Sequence, residues 1–282
     1  MIMNYSDYLK LKQKQWAVRH GLSVDEKGYL SSYYENIFGG LPAEVEQMFR
    51  DADGNELTDM AGRPANMKAL HSSSALCVNV FSYMRNDAEQ ALRALGIDGL
   101  LAGNEIRFEY KNTIIAGSRP SNLDMMLTAR EHFYAVESKF LEPYSYSPNI
   151  LKSKYLATDG LWNGLPCIHE YIIGMADCAE GKHLDYSCLD AAQLIKHLLG
   201  LMRNESINGD KTRFYLVYLY YDAPDDRGAV HRAEIARFAE LMASDNVNFK
   251  VVTYQEVLYN LNTILDYSSH KEYLDYINER YM

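Results

Sequence analysis

Asp124, Glu137 and Lys139 are the residues of this chain whose types and spacing could do chemistry together: two carboxylates and an ammonium within residues 120–142, PSNLDMMLTAREHFYAVESKFLE. Brought to one point, such a trio suits metal-assisted hydrolysis of a phosphodiester. Magnesium, or manganese as its substitute, takes oxygen ligands, usually one or two carboxylates together with water and substrate phosphate. Asp124 and Glu137 supply that pair, and the backbone carbonyl of Ser138 could add a third oxygen. Lys139 sits two residues past Glu137, about 6.5 to 7 Å along a strand, within reach of an attacking water or of charge building on a phosphate.

A β-hairpin must position these groups. Leu123, Met125 and Leu127 alternate with Asp124 and Met126, and residues 132–140 are rich in aromatic and β-branched side chains, so each half reads as a strand. Residues 128–131 form the expected turn. With a loop of two or four residues, Leu127 pairs with His132 and Asp124 lies opposite Ala135. Side chains repeat every second residue, so Ala135, Glu137 and Lys139 share a face, and Asp124 points to it from the neighbouring strand. The competing account of Glu137 and Lys139 is a surface ion pair, worth under about 1 kcal/mol.

Asp124, a gap of twelve residues, then Glu137-Ser138-Lys139 resembles the PD-(D/E)XK nuclease superfamily. The flanking text extends the likeness to the restriction-endonuclease-like branch of bacterial nucleases over residues 67–222: HSSSALCVNVFSY, then FEYK and SNLD, then ESKFLEPY, then LDAAQLIKHLLGL. The resemblance implies an α/β fold with a core of helix, three strands, helix and strand, its mixed central sheet flanked by helices. It also implies three auxiliary positions. Asn79, on the apolar first core helix, is either a polar group near the metal site or a satisfied core amide. Glu109, on the first strand, either approaches the metals or faces solvent. Gln193, on the helix after Glu137-Ser138-Lys139, matches a polar residue aimed at the site; Lys196 and His197, on the same helix face, could touch phosphate, although a lone histidine there reads first as a surface residue.

The remaining chain is consistent with one domain plus elaborations. Residues 1–66 read as an N-terminal helical elaboration and 67–282 as the nuclease-like domain, with an insertion at about 143–187. Residues 105–111 alternate cleanly as a half-exposed strand, with Ile106, Phe108 and Tyr110 on one face. Residues 190–203 form a strongly amphipathic helix and 213–221 a central strand. Beyond them a helix, a strand and two helices extend the sheet in α/β fashion.

Hydrophobic residues make up 48% of the 282 and charged residues 23%, as in a soluble globular protein. No apolar run approaches a bilayer span and the N-terminus lacks a signal-peptide pattern, so a cytoplasmic protein with no membrane partner is expected. The net charge of −10 argues against indiscriminate nucleic-acid binding, yet leaves room for a local basic groove. Cys77, Cys167, Cys178 and Cys188 show no C-x-x-C spacing; the last three lie near His169 and His183, and buried reduced thiols fit better than zinc. Nucleophile-elbow, phosphate-loop and H-E-x-x-H signatures are absent.

The expected activity is therefore a magnesium-dependent endodeoxyribonuclease of restriction or defence type acting on DNA. The alternative is a nuclease-like module that binds nucleic acid or protein without cutting. Cutting both strands calls for two active sites, which a homodimer would supply.

Overall fold

The computed structural model describes residues 4–52, 54–98, 104–145 and 149–282. In chain order its elements are α1 (Tyr5–Arg19), α2 (Ala43–Asp51), α3 (Ser73–Phe81), α4 (Ala88–Ala94), β1 (Asn104–Asn112), β2 (Ser121–Ala129) and β3 (His132–Lys139). There follow β4 (Ile150–Lys152), α5 (Ser153–Ala157), α6 (Pro166–Ile173), β5 (Ala176–Cys178), β6 (Gly181–His183) and α7 (Ala191–Arg203). The chain closes with β7 (Phe214–Tyr220), α8 (Asp226–Ser244), β8 (Phe249–Thr253), α9 (Tyr254–Ile264) and α10 (Tyr267–Tyr281). Local chemistry sets several of these boundaries. Ser72 caps α3 through Ala75 N–H, Asp190 caps α7 through Gln193 N–H, and Asp225 caps α8 through Gly228 N–H, each satisfying a donor that a helix start leaves open.

The central sheet has the order β1-β2-β3-β7-β8. The β1/β2 and β2/β3 pairs are antiparallel, while β3/β7 and β7/β8 are parallel. A parallel pairing needs a long crossover, and the segment from β4 through α7 supplies it. The sequence α3, β1, β2, β3, α7, β7 is thus the helix, three strands, helix and strand expected of a restriction-endonuclease-like α/β core, and β8 extends the sheet at its far edge.

Two apolar layers cover the sheet. α2, α3, α4, α9 and α10 pack on one face around Phe81, Phe108, Met125, Val136 and Leu258. On the other, α6, α7 and α8 pack around Met126, Ala135, Leu198, Leu216 and Phe238. α3 is buried on every side, which is why its sequence carries no amphipathic stripe. Leu9 of α1 and Val45 and Phe49 of α2 share the first layer with the sheet. Between β3 and α7 lies a small sheet of order β4-β6-β5.

α7 approaches β1 closely because of one glycine. A Cβ on Gly200 would meet the Asn112 side chain at 2.5 Å, and Asn112 Nδ2 donates to His197 O at 2.8 Å. The helix that carries Gln193 and His197 is thereby fixed against the sheet.

Two local expectations are corrected. The hairpin turn is Arg130-Glu131, with Ala129 opposite His132, so Leu127 pairs with Tyr134 and not with His132. Arg130 adopts φ 53°, a conformation that favours glycine or asparagine, and neither residue type marks this turn in the sequence. The register moves by two residues, a slip that by itself keeps the alternation of faces, and residues 125–136 of the hairpin take their expected sides. Second, β1 does not alternate throughout. Glu109 has φ 50°; Ile106 and Phe108 face the first layer, whereas Tyr110 packs on the second. Ladder pairing passes from Phe108↔Met125 to Tyr110↔Leu123, leaving Glu109 and Asp124 unpaired between them.

Candidate active site

The site forms where the ladders open. The β2/β3 pairing ends at Met125↔Val136, and the next positions in that register are Asp124 and Glu137. β2 changes face here too: Met125 lies in the first layer and Leu123 in the second. The Asp124 carboxylate accepts the Ser138 N–H at 2.7 Å, which places it at the seam between the two strands. Lys139 O accepts from Tyr221 N–H on the other side of β3. Carbonyls alternate between the two edges of a strand, so the Ser138 carbonyl faces the β2 side, toward Asp124.

Glu137 is only 1% exposed. Its Oε1 accepts from Lys139 Nζ at 2.5 Å and its Oε2 from His197 Nε2 at 2.7 Å. Lys139 Nζ also donates to Gln193 Oε1 at 2.8 Å. His197 Nδ1 lies 3.2 Å from Ser121 Oγ. Four elements therefore meet: β2 brings Asp124 and Ser121, β3 brings Glu137 and Lys139, α7 brings Gln193 and His197, and β1 brings Glu109, whose Oε2 takes an Asn122 Nδ2 hydrogen at 3.2 Å.

The environment separates the acids. Burial opposes the charge of Glu137, but Lys139 and then His197 outweigh it and hold this carboxyl at about 2. Asp124 is pushed well above the usual carboxylate range, first by burial and then by the charge of Glu137. Burial, followed by the charge of Glu56, raises Glu109 to about 8. Lys139 stays above the ordinary lysine value because Glu137 and Asp124 overcome its desolvation. Acids with divergent affinities for protons beside one fixed ammonium are the electrostatic pattern of a reaction centre.

Among the described residues no group of three or more His, Cys, Asp and Glu side chains is gathered to hold an ion. This covers the cysteines and histidines between β3 and α7: Cys167 is exposed, Cys188 is buried, and His169 stacks on Trp162 at 4.8 Å. A magnesium ion needs no such cage, because two carboxylates, a carbonyl and water suffice. The donors here are all oxygen, and a cation would offset both the burial that chiefly lifts Asp124 and the repulsion from Glu137 that adds to it.

Asn79 is not brought to the site. Its Oδ1 accepts from Phe38 N–H at 2.7 Å, and its Nδ2 donates to Asn36 O and Tyr281 Oη, both at 2.9 Å. It ties the N-terminal segment to α10 as a satisfied core amide. His197 departs from its surface reading in the opposite direction, being wholly buried against Glu137. The one available signal was its spacing from Gln193, four residues on along the same helix face.

A cleft of about 470 Å³ opens onto Lys139 and Gln193, with Lys10, His71, Asp190 and Tyr218 also in its walls. Helix, antiparallel three-strand unit, crossover helix and parallel strand, with acids and a lysine where the strands part, define a restriction-endonuclease-like α/β protein. A family model described as REase-ARP, Restriction Endonuclease associating with ARP, matches residues 9–282, and the chain belongs to that family. No curated protein and no solved structure matches it. No helix among the described residues is long and apolar enough to cross a membrane.

Proposed function

We propose that this chain hydrolyses phosphodiester bonds of DNA as an endonuclease of the PD-(D/E)XK type. The observation that carries the reading is the junction of Asp124 and Glu137 at the parted ends of β2 and β3, with Lys139 2.5 Å from Glu137 and opening on the cleft. Asp124, Glu137 and the Ser138 carbonyl would hold magnesium or manganese. When bound, the ion supplies Lewis-acid stabilisation of the phosphate and a more acidic water.

The chain's own residues do the rest. Lys139 keeps its proton at neutral pH, so its role is that of a fixed positive charge and hydrogen-bond donor, not a base. It orients the attacking water and faces the charge that builds on phosphorus as the new P–O bond forms and the bond to the 3′ oxygen breaks. The products are a 5′ phosphate and a 3′ hydroxyl. Gln193 fixes the Lys139 ammonium from α7, and His197 fixes Glu137. Glu109, beside Asn122 at the edge of the site, is an auxiliary acid. DNA is the proposed partner, together with the associate that the family description names, and a homodimer would supply one active site per strand.

Incubating the purified protein with supercoiled plasmid, with and without magnesium, tests this. Nicking or linearisation that requires the metal and disappears in folded Asp124→Ala and Lys139→Ala proteins is expected. Equal cleavage by those variants would remove the assignment.

A further inference from the structure

Behind the cleft lies a pair of side chains that the mechanism above does not use. Tyr218 of β7 is the register partner of Glu137 on β3 and lines the cleft together with Lys139 and Gln193. Its hydroxyl lies 2.9 Å from Nε2 of His231 on α8. His231 is wholly buried. The rings of Tyr144, Tyr218 and Tyr220 meet it edge-on at 5.7, 5.7 and 4.8 Å, and its Nδ1 has no hydrogen-bond partner among the described residues.

That orphaned nitrogen decides the direction of the hydrogen bond. Buried N–H groups without acceptors are rarer than buried acceptors without donors, so the proton sits on Nε2 and Nδ1 is the bare lone pair. Burial also keeps this ring neutral, with its basicity lowered to about 4. Nε2–H therefore donates to Tyr218 Oη. One acceptor position of the hydroxyl is then filled from behind. Its own O–H is left to donate, and His231 is its sole hydrogen-bond partner among the described residues. Tyr218 is 1% exposed, and the cleft is the space it lines.

We infer that Tyr218 is a further catalytic residue, whose hydroxyl donates a hydrogen bond to a non-bridging oxygen of the phosphate in the cleft, and that His231 is a positioning residue acting through it. This rests on the phosphodiesterase reading and adds a second donor beside Lys139. No proton is transferred: Tyr218 keeps its hydrogen, and the bond shortens as charge builds on the phosphate oxygen. A neutral donor, held by a buried ring, costs no reorganisation when the reaction occurs.

The test is steady-state cleavage of an end-labelled DNA duplex with magnesium by wild type, Tyr218→Phe, His231→Phe, His231→Gln and the double variant Tyr218→Phe/His231→Phe, with thermal melting recorded for each. Tyr218→Phe should lower kcat roughly 10- to 100-fold, the size expected for one hydrogen bond to a charged group, with KM changed by less than about threefold. His231→Phe should match it, and the double variant should be no worse than either single one, because the histidine works only through the hydroxyl. His231→Gln, whose amide N–H can replace Nε2–H, should recover part of the rate. Wild-type cleavage with Tyr218→Phe within about twofold of it would overturn this inference alone, as would additive losses in the double variant. A wild type as inactive as Lys139→Ala would overturn the nuclease reading and this inference with it.

Discussion

His197 Nε2 lies 2.7 Å from Glu137 Oε2, and neither side chain is more than 1% exposed. Glu137 thus carries its charge in the interior between two donors, one on β3 and one on α7. Removing a donor from a buried carboxylate leaves a desolvated charge with fewer partners. His197→Ala is expected to destabilise the fold by about 2 kcal/mol, measured by urea unfolding, because Lys139 remains on the other oxygen. His197→Gln, which keeps an N–H, should lose less. A full-strength His197→Ala protein would show that the contact contributes nothing.

Gln193 differs from His197 in what its loss exposes. It is half-buried and accepts from Lys139, whose ammonium keeps Glu137 as a partner when the amide is gone. Gln193→Ala should therefore melt close to wild type while its magnesium-dependent cleavage falls about tenfold, the cost of a modest misplacement of the ammonium. Cleavage assayed at saturating DNA, beside a melting curve, checks both halves. A large drop in melting temperature would assign Gln193 to folding and not to the site.

The acids give the metal-free protein a pH dependence of definite sign. Glu109 holds its proton up to about 8, against about 4.3 in an unfolded chain. Across that interval the folded state binds more protons than the unfolded one, so stability falls as pH rises. Asp124 acts in the same direction. Glu137, held at about 2, acts oppositely: its contribution is present above the ordinary carboxylate value and is lost as pH falls toward 2. Melting in the presence of a chelator should therefore be highest near pH 5 and decline toward pH 8. Glu109→Gln should flatten part of that decline; an unaltered slope in the variant would remove Glu109 as its source.

Much of this arrangement is legible in the text of the chain, and the parts that are not have physical causes. Asp124, Glu137 and Lys139 can be brought together from strand periodicity, because a hairpin slip of two residues keeps the alternation, although Leu123 crosses to the second layer. The apolar run of α3 and the amphipathic stripe of α7 likewise mark their elements in the sequence. The turn at Arg130 and the break at Glu109 are invisible because both use positive φ at residues other than glycine, so no letter signals them. The sequence leaves Asn79 between two settings and misplaces His197 for a related reason. The partners of Asn79 include Tyr281, 202 positions away, and that of His197 is Glu137, 60 positions away, and only tertiary packing decides which polar group on a helix finds one.

Asp124 offers the sharpest separation of stability from function. Its carboxylate has one fixed partner, the Ser138 N–H, and lies in the field of Glu137 with burial against it. An asparagine keeps the oxygen that accepts this N–H and deletes the charge. Without metal, Asp124→Asn should then be at least as stable as wild type, and its advantage should grow as pH rises, since wild type must ionise a disfavoured acid and the variant has none. With magnesium the order reverses. Wild type gains an anionic ligand pair at the parted strands and should melt higher as the ion is added, by an amount that increases with pH because binding displaces the Asp124 proton. The variant has one carboxylate left, Glu137, already engaged by Lys139 and His197, and should show almost no shift. Melting curves of both proteins at pH 6 and pH 8, with chelator and with magnesium, give the four comparisons. An equal magnesium-induced shift in the two proteins would mean that Asp124 is not a ligand, and a destabilised variant in chelator would mean that its charge is compensated.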